Sequence, residues 1–209
     1  MIQKVVLVTA FILGVLGAYA QGPWSKEYDK DNIIIHTRDA GDIKFKEFKA
    51  EMVTSGTMEA CVAVFLDYQT HNKFMYSLLD CQLVERNNSK DYYLHYMIDV
   101  PWPYNDRDMV VRAQFKKQSD KLVTLQMNSY PDKKPSDDYV RMRVTEGIWS
   151  FEQINSSQVK ITYINKSDPS GNIPAWLANM FIIDGPKETL LGLEKRIPQY
   201  SSKVVSWLH

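Results

Sequence analysis

The side chains best suited to metal binding or covalent chemistry are few and dispersed. His36, His71, His95 and His209 fall on separate segments, as do Cys61 and Cys81. No pair has the spacing of a zinc site, so neither a metal nor a cofactor is expected. There is no Gly-x-Ser-x-Gly elbow, no glycine-rich phosphate loop and no His-Glu-x-x-His. His95 and Glu146 are left as the only candidates for proton transfer, and each reads more readily as a surface residue. Arg107 and Asp108 are adjacent, but neighbours on a strand project to opposite faces and cannot share one site. Their expected role is to tie down the loop Pro101–Asn105 through charged hydrogen bonds. Arg141 and Arg143 lie on one face with Met142 opposite. They read as a solvated outer face, or as a patch that meets an anionic head group. Glu47 and Glu51 alternate among Lys44, Lys46 and Lys49, the mixture of a wetted surface.

The bulk composition narrows the function classes. The 209 residues carry 25 basic and 25 acidic side chains. Such balance provides no general electrostatic drive toward nucleic acid, and none is expected as a partner. With 44% apolar and 24% charged residues the chain is ordinary for one globular domain. Twelve Tyr, eight Phe and five Trp suit a β-rich fold or a wide apolar interior.

The first twenty residues have the three-part pattern of a secretory signal peptide. Lys4 precedes an apolar run from Val5 to Leu16, and Gly17-Ala18-Tyr19-Ala20 places small residues before a cut at Gln21. That run is too short to span a bilayer, which takes about 20 residues. The expected mature chain, 21–209, loses Lys4 and keeps 24 basic against 25 acidic residues. It is expected to be monomeric and periplasmic or extracellular. Export would permit a Cys61–Cys81 disulfide. The helix read around Cys61 and the strand read at Cys81 point instead to two buried thiols.

Periodicity then sets out the elements that must position any site. Ile33 to Arg38 and Ile43 to Val53 read as strands, with a phase change near Lys46-Glu47 that predicts a bulge. Thr57 caps a helix carrying Ala60, Val64 and Phe65, and a short helix is expected near His71 to Tyr76. Six strands follow: Leu79–Arg86, Asp91–Val100, Met109–Lys117, Lys121–Asn128, Tyr139–Gln153 and Gln158–Asn165. The short polar turns between them require antiparallel hairpins. From Pro174, apolar residues at steps of three and four through Val204 predict one long amphipathic helix, kinked at Gly185-Pro186. Strands followed by a terminal helix make an α+β fold, a curved antiparallel sheet around that helix.

Four motifs in order now resemble a known family. They are Pro101-Trp102-Pro103 followed by Arg107-Asp108, then Gly147-Ile148-Trp149, then Asp168-Pro169-Ser170-Gly171-Asn172-Ile173-Pro174, then Pro186 with Leu190 and Leu193. Together they are similar to the START domain, the lipid-transfer module of the steroidogenic acute regulatory protein family, over about residues 23–206. The resemblance implies a helix-grip fold with an internal tunnel for one hydrophobic molecule, bound for transport or sensing without chemistry, with transient membrane contact. Several sterol-binding members pair a buried acid with a buried arginine in that tunnel. Aligned on Arg107-Asp108, those positions are Leu94 and Ala113 here. The polar anchor is therefore absent, and a head group would meet Tyr96, Tyr163, Asn165 or His95.

The expected tunnel wall follows the apolar faces of the strands and the last helix: Leu94, Tyr96, Ile98, Val111, Ala113, Leu125, Met127, Met142, Val144, Ile161, Tyr163, Met180 and Ile183. The methionines would give it an adaptable surface. Without the resemblance, the same faces would read as a dry core. The alternative function is an enzyme on the same scaffold, a cyclase or hydrolase of an aromatic or acyl substrate. Trp102 is expected to pack as a plug or to stand at the tunnel rim.

Overall fold

The computed structural model describes residues 21–136 and 138–209. The predicted leader lies outside them. Period-two alternation builds a ten-stranded sheet: β1 (Ser25–Lys30), β2 (Ile33–Asp39), β3 (Lys46–Ser55), β4 (Leu78–Asn88), β5 (Asp91–Ile98), β6 (Arg107–Ser119), β7 (Leu122–Ser129), β8 (Val140–Arg141), β9 (Val144–Asn155) and β10 (Gln158–Asp168). The strand order is β1-β2-β3-β10-β9-β7-β6-β5-β4, antiparallel throughout, and two-residue β8 adds a parallel bridge to β6. The predicted hairpins therefore appear as neighbours. The crossover that brings β3 beside β10 joins the N-terminal strands to the C-terminal end of the meander.

Three details differ from expectation. β1 is an additional edge strand; its Ser-Lys-Glu-Tyr-Asp-Lys sequence is polar on both faces and carries no apolar alternation. Charge on an edge strand discourages pairing with another chain. The register between β2 and β3 runs unbroken from Ile33–Met52 to Asp39–Lys46, so the phase change at Lys46 marks the start of a strand and not a bulge. The stretch read as one strand over 139–153 breaks at Met142-Arg143 into β8 and β9.

The inner face buries Ile33 and Ile35, Ala50 and Met52, Tyr92, Leu94 and Tyr96, Val111 and Ala113, Val123 and Leu125, Trp149 and Phe151, and Val159 and Ile161. Two helices fill the concavity. Thr57 caps α1 (Met58–Leu66), its hydroxyl accepting the Ala60 N–H at 3.1 Å. Phe65 of α1 packs on Trp149 and Phe151 with ring centroids 4.8 and 5.3 Å away. A 3-10 turn (Tyr68–Lys73) leads back into β4.

The C-terminal helical run is the grip. It comprises α2 (Ala175–Asn179), a π-helical turn (Met180–Asp184), α3 (Gly185–Arg196) and a 3-10 turn (Ile197–Tyr200). The expected interruption at Gly185-Pro186 takes the form of the π turn. Pro186 has no N–H to donate, and the Gly185 N–H reaches back to the Met180 carbonyl. The run ends at Tyr200, so Val204 is not helical and is 77% exposed. Leu190 and Leu193 are fully buried on the sheet side. Gly192 lets α3 approach closely: a Cβ there would lie 2.7 Å from the Phe74 carbonyl oxygen.

Candidate functional site

At one end of the sheet α3 grips a dry core. Toward the other end the sheet and the helical run part, leaving a cavity of about 160 Å³. Its roof is Ala178, Phe181, Ile182, Gly185, Pro186 and Thr189, and its side wall includes Met75, Tyr76 and Leu78. Its floor comes from inward positions of five strands: Phe48 on β3, Tyr96 and Ile98 on β5, Arg107 and Met109 on β6, Thr145 and Trp149 on β9, and Tyr163, Asn165 and Ser167 on β10. Tyr163 stacks on Trp149 at 3.8 Å and 8°, and meets Phe48 edge-on at 4.9 Å.

Of the thirteen expected wall residues, Tyr96, Ile98, Met142 and Tyr163 line this cavity. Leu94, Val111, Ala113, Leu125, Met127 and Ile161 face inward but lie in the packed core. Ile183 packs against that core, and Met180 packs on a small cluster of Val100, Ile173 and Leu177. Val144 is displaced for a specific reason: the break after Met142 shifts the phase, so β9 points Thr145, Gly147 and Trp149 inward. Thr145, Asn165 and Ser167 could be found by stepping two residues at a time from Trp149 and Tyr163. The roof residues Phe181 and Ile182 could not, because a π turn changes the helical phase; Pro186 was already marked as the interruption of the helix.

Tyr96 is committed to an internal partner. His71, 1% exposed, bridges its hydroxyl at 2.8 Å from Nδ1 and the Phe65 carbonyl at 3.0 Å from Nε2. The carbonyl can only accept, which assigns the proton to Nε2 and leaves Nδ1 to receive the Tyr96 O–H. Burial lowers the imidazole pKa to about 4. Cys61 and Cys81 are also buried, and both are unbridged. Burial pushes each thiol up to about 12, so neither is a ready nucleophile.

The other titratable cluster lies on the opposite face of the sheet. Asp108 is fully buried under the loop 130–139. It accepts bonds from Arg141 Nε and Nη2 at 2.9 and 2.7 Å, His95 Nε2 at 2.7 Å and Ser136 Oγ at 3.0 Å. Burial alone would raise the Asp108 carboxyl, but these bonds outweigh it and hold it below its ordinary range. His95 Nδ1 accepts from Lys134 Nζ at 2.9 Å, and burial keeps its pKa low. Arg141 therefore clamps a loop and is not a solvated residue, whereas Arg143 is exposed. His95 is removed from the cavity, and so is Glu146, whose exposed carboxylate pairs with Lys166 at 3.1 Å. Trp102 is 91% exposed and plugs nothing.

Arg107 points inward, away from Asp108 as the strand geometry requires. Its Nε donates to the Pro169 carbonyl at 3.2 Å, its Nη2 to Ser170 at 3.3 Å and its Nη1 to Asn105. It thus ties down the loop that was expected, and also the loop before α2.

An antiparallel sheet wrapped around a C-terminal helix, with an apolar cavity between them, defines a helix-grip, hydrophobic-ligand-binding fold. The START domain profile matches residues 15–188, and the chain belongs to the START domain family. A STAR-related lipid transfer protein fragment from Xanthomonas axonopodis is similar at 26% identity and TM-score 0.77, covering 84% of this chain and 99% of that one. Human StAR-related lipid transfer protein 5 shares the fold at 14% identity and TM-score 0.71, over 85% of this chain and 87% of that one. An uncharacterised protein of Pseudomonas aeruginosa is 25% identical over 193 residues, spanning 92% of this chain and 95% of its own.

Proposed function

We propose that this protein is an exported carrier or sensor of a lipid, which it holds in the cavity beneath α3 without covalent chemistry. The observation that carries this reading is the apolar cavity itself, left where the sheet and the helical roof separate. Apolar burial at about 25 cal/mol per Å² would supply the affinity.

The cavity is small. Its ~160 Å³ is comparable to an engineered 150 Å³ cavity that accepts benzene. A lipid chain therefore requires the roof to move. The π turn is the part of that roof most open to movement: it buries no residue fully and interrupts the regular α-helical ladder. Pro186→Ala is expected to favour regular α-helix there and to slow ligand exchange; an unchanged exchange rate argues against a hinge at this point. Trp102 and Trp176, 91% and 53% exposed, stand at this end of the molecule. Indole rings suit a membrane interface, so brief contact with a bilayer is part of the proposal. A catalytic reading finds less support, because His95 and Glu146 stand outside the cavity.

The test is native mass spectrometry of the full chain expressed with export, followed by solvent extraction and lipid analysis. A stoichiometric extra mass that extracts as one lipid class supports the reading. A bare mass, with no uptake from a lipid mixture, argues against it. The same spectrum reports cleavage after Ala20 and the monomeric state.

A further inference from the structure

We infer that the cavity selects an amphiphile with a single anionic head group, a carboxylate or a phosphate monoester, and that Arg107 holds that group. This deepens the proposed function and rests on it.

The argument starts from the distribution of polarity along the cavity. The inner-face residues run from aromatic to polar toward one end: Trp149 gives way to Thr145 on β9, and Tyr163 to Asn165 and Ser167 on β10. Thr145, Ser167 and Asn165 form a hydrogen-bonded row, with oxygens 3.4 and 2.7 Å apart. Met109 joins this row to β6, its sulfur 3.7 Å from the Thr145 hydroxyl, and Arg107 is the next inward residue of β6. The polar end of the cavity thus has hydroxyl and amide groups on one side and a guanidinium on the other.

The charge at that end is unbalanced. Arg107 is 5% exposed. No carboxylate lines the cavity among the described residues. Of the two flanking acids, Asp108 is committed to Arg141 and His95 on the opposite face, and Asp106 uses its Oδ1 to accept the Val100 N–H at 3.0 Å; the Asp106 charge acts on Arg107 but makes no ion pair with it. The three acceptors of Arg107 are neutral backbone carbonyls, and a guanidinium has five N–H groups, so two donors remain. Lys46 also borders the cavity, but its ammonium turns to Glu27 at 3.8 Å and Thr37 at 3.5 Å. A buried charge ordinarily has a counter-charge. Among the described residues no carboxylate pairs directly with Arg107, and a ligand anion would supply that pair. A guanidinium gains Coulomb attraction from an anionic head group that a neutral one does not offer, and more so out of bulk water, so Arg107 discriminates by charge and not only by polarity.

The experiment displaces a neutral apolar dye, Nile red, from the wild-type protein at pH 8 with four ligands of equal chain: dodecanoic acid, dodecyl phosphate, dodecanol and methyl dodecanoate. The inference expects at least one anion to bind about tenfold tighter than both neutral ligands, corresponding to a charge-assisted bond of at least about 1.4 kcal/mol. The two anions separate a carboxylate site from a phosphate site. Arg107→Gln should bring the ratio of anion to neutral affinity down to about one, whatever it does to binding of the whole set. Equal affinity for all four overturns the head-group inference and leaves the cavity's proposed function standing. Failure of every ligand and of the dye to bind overturns both. The wild-type comparison decides the question even where Arg107→Gln does not fold.

Discussion

Acid should destabilise this protein partly through one buried imidazole, and the size of the effect follows from its surroundings. His71 has an ordinary value of 6.5, lowered to about 4 in the folded chain by burial. Above pH 6.5 the imidazole is neutral in both states and nothing is lost. Below it, the unfolded chain gains a proton that the native chain refuses, so stability falls as pH drops from 6.5 toward 4. At 1.36 kcal/mol per unit, His71 should cost about 2 kcal/mol by pH 5 and about 3 kcal/mol by pH 4. Paired acids such as Asp108 add losses of the same sign, because their carboxyls are lowered too. The contribution of His71 is isolated by His71→Gln, which retains a donor for the Phe65 carbonyl and an acceptor for the Tyr96 hydroxyl but does not titrate. Urea unfolding of both proteins from pH 7.5 to 5 should show the variant losing about 2 kcal/mol less than the wild type. Parallel losses would refute the reasoning.

Three further outcomes are expected. Asp108→Asn removes the counter-charge of buried Arg141 and should cost roughly 3 kcal/mol in urea unfolding, while ligand affinity stays unchanged because the cluster lies across the sheet from the cavity. Gly192→Ala forces a Cβ against the Phe74 backbone and should lower stability by about 1–3 kcal/mol, read as a fall in thermal midpoint. Trp102→Ala should leave stability within about 0.5 kcal/mol, since the ring is almost wholly exposed, yet reduce binding to phosphatidylcholine vesicles in a co-sedimentation assay.

Local pattern was enough for most of the framework. β-Branched residues in Ile33–Arg38 and alternation in Asp91–Val100 and Gln158–Asn165 assigned strands, Thr57 announced its helix, and the four ordered motifs pointed to the START fold. These signals depend on near neighbours along the chain, so they survive without three-dimensional information. Strand geometry alone also separated Arg107 from Asp108. Only the tertiary structure decided which inward residues meet a cavity and which meet α1. Leu94 and Ile98 share a face of β5, yet one is packed core and the other is wall, because the core closes over the first and the roof lifts away over the second. Tertiary structure likewise buried His95, an outward residue, beneath a loop distant in sequence, and broke the strand at Met142 so that Thr145 replaced Val144 on the inner face. Arg107 borders a cavity lined by no carboxylate among the described residues for the same reason: that lining is a property of what five strands bring together, and no one of them encodes it.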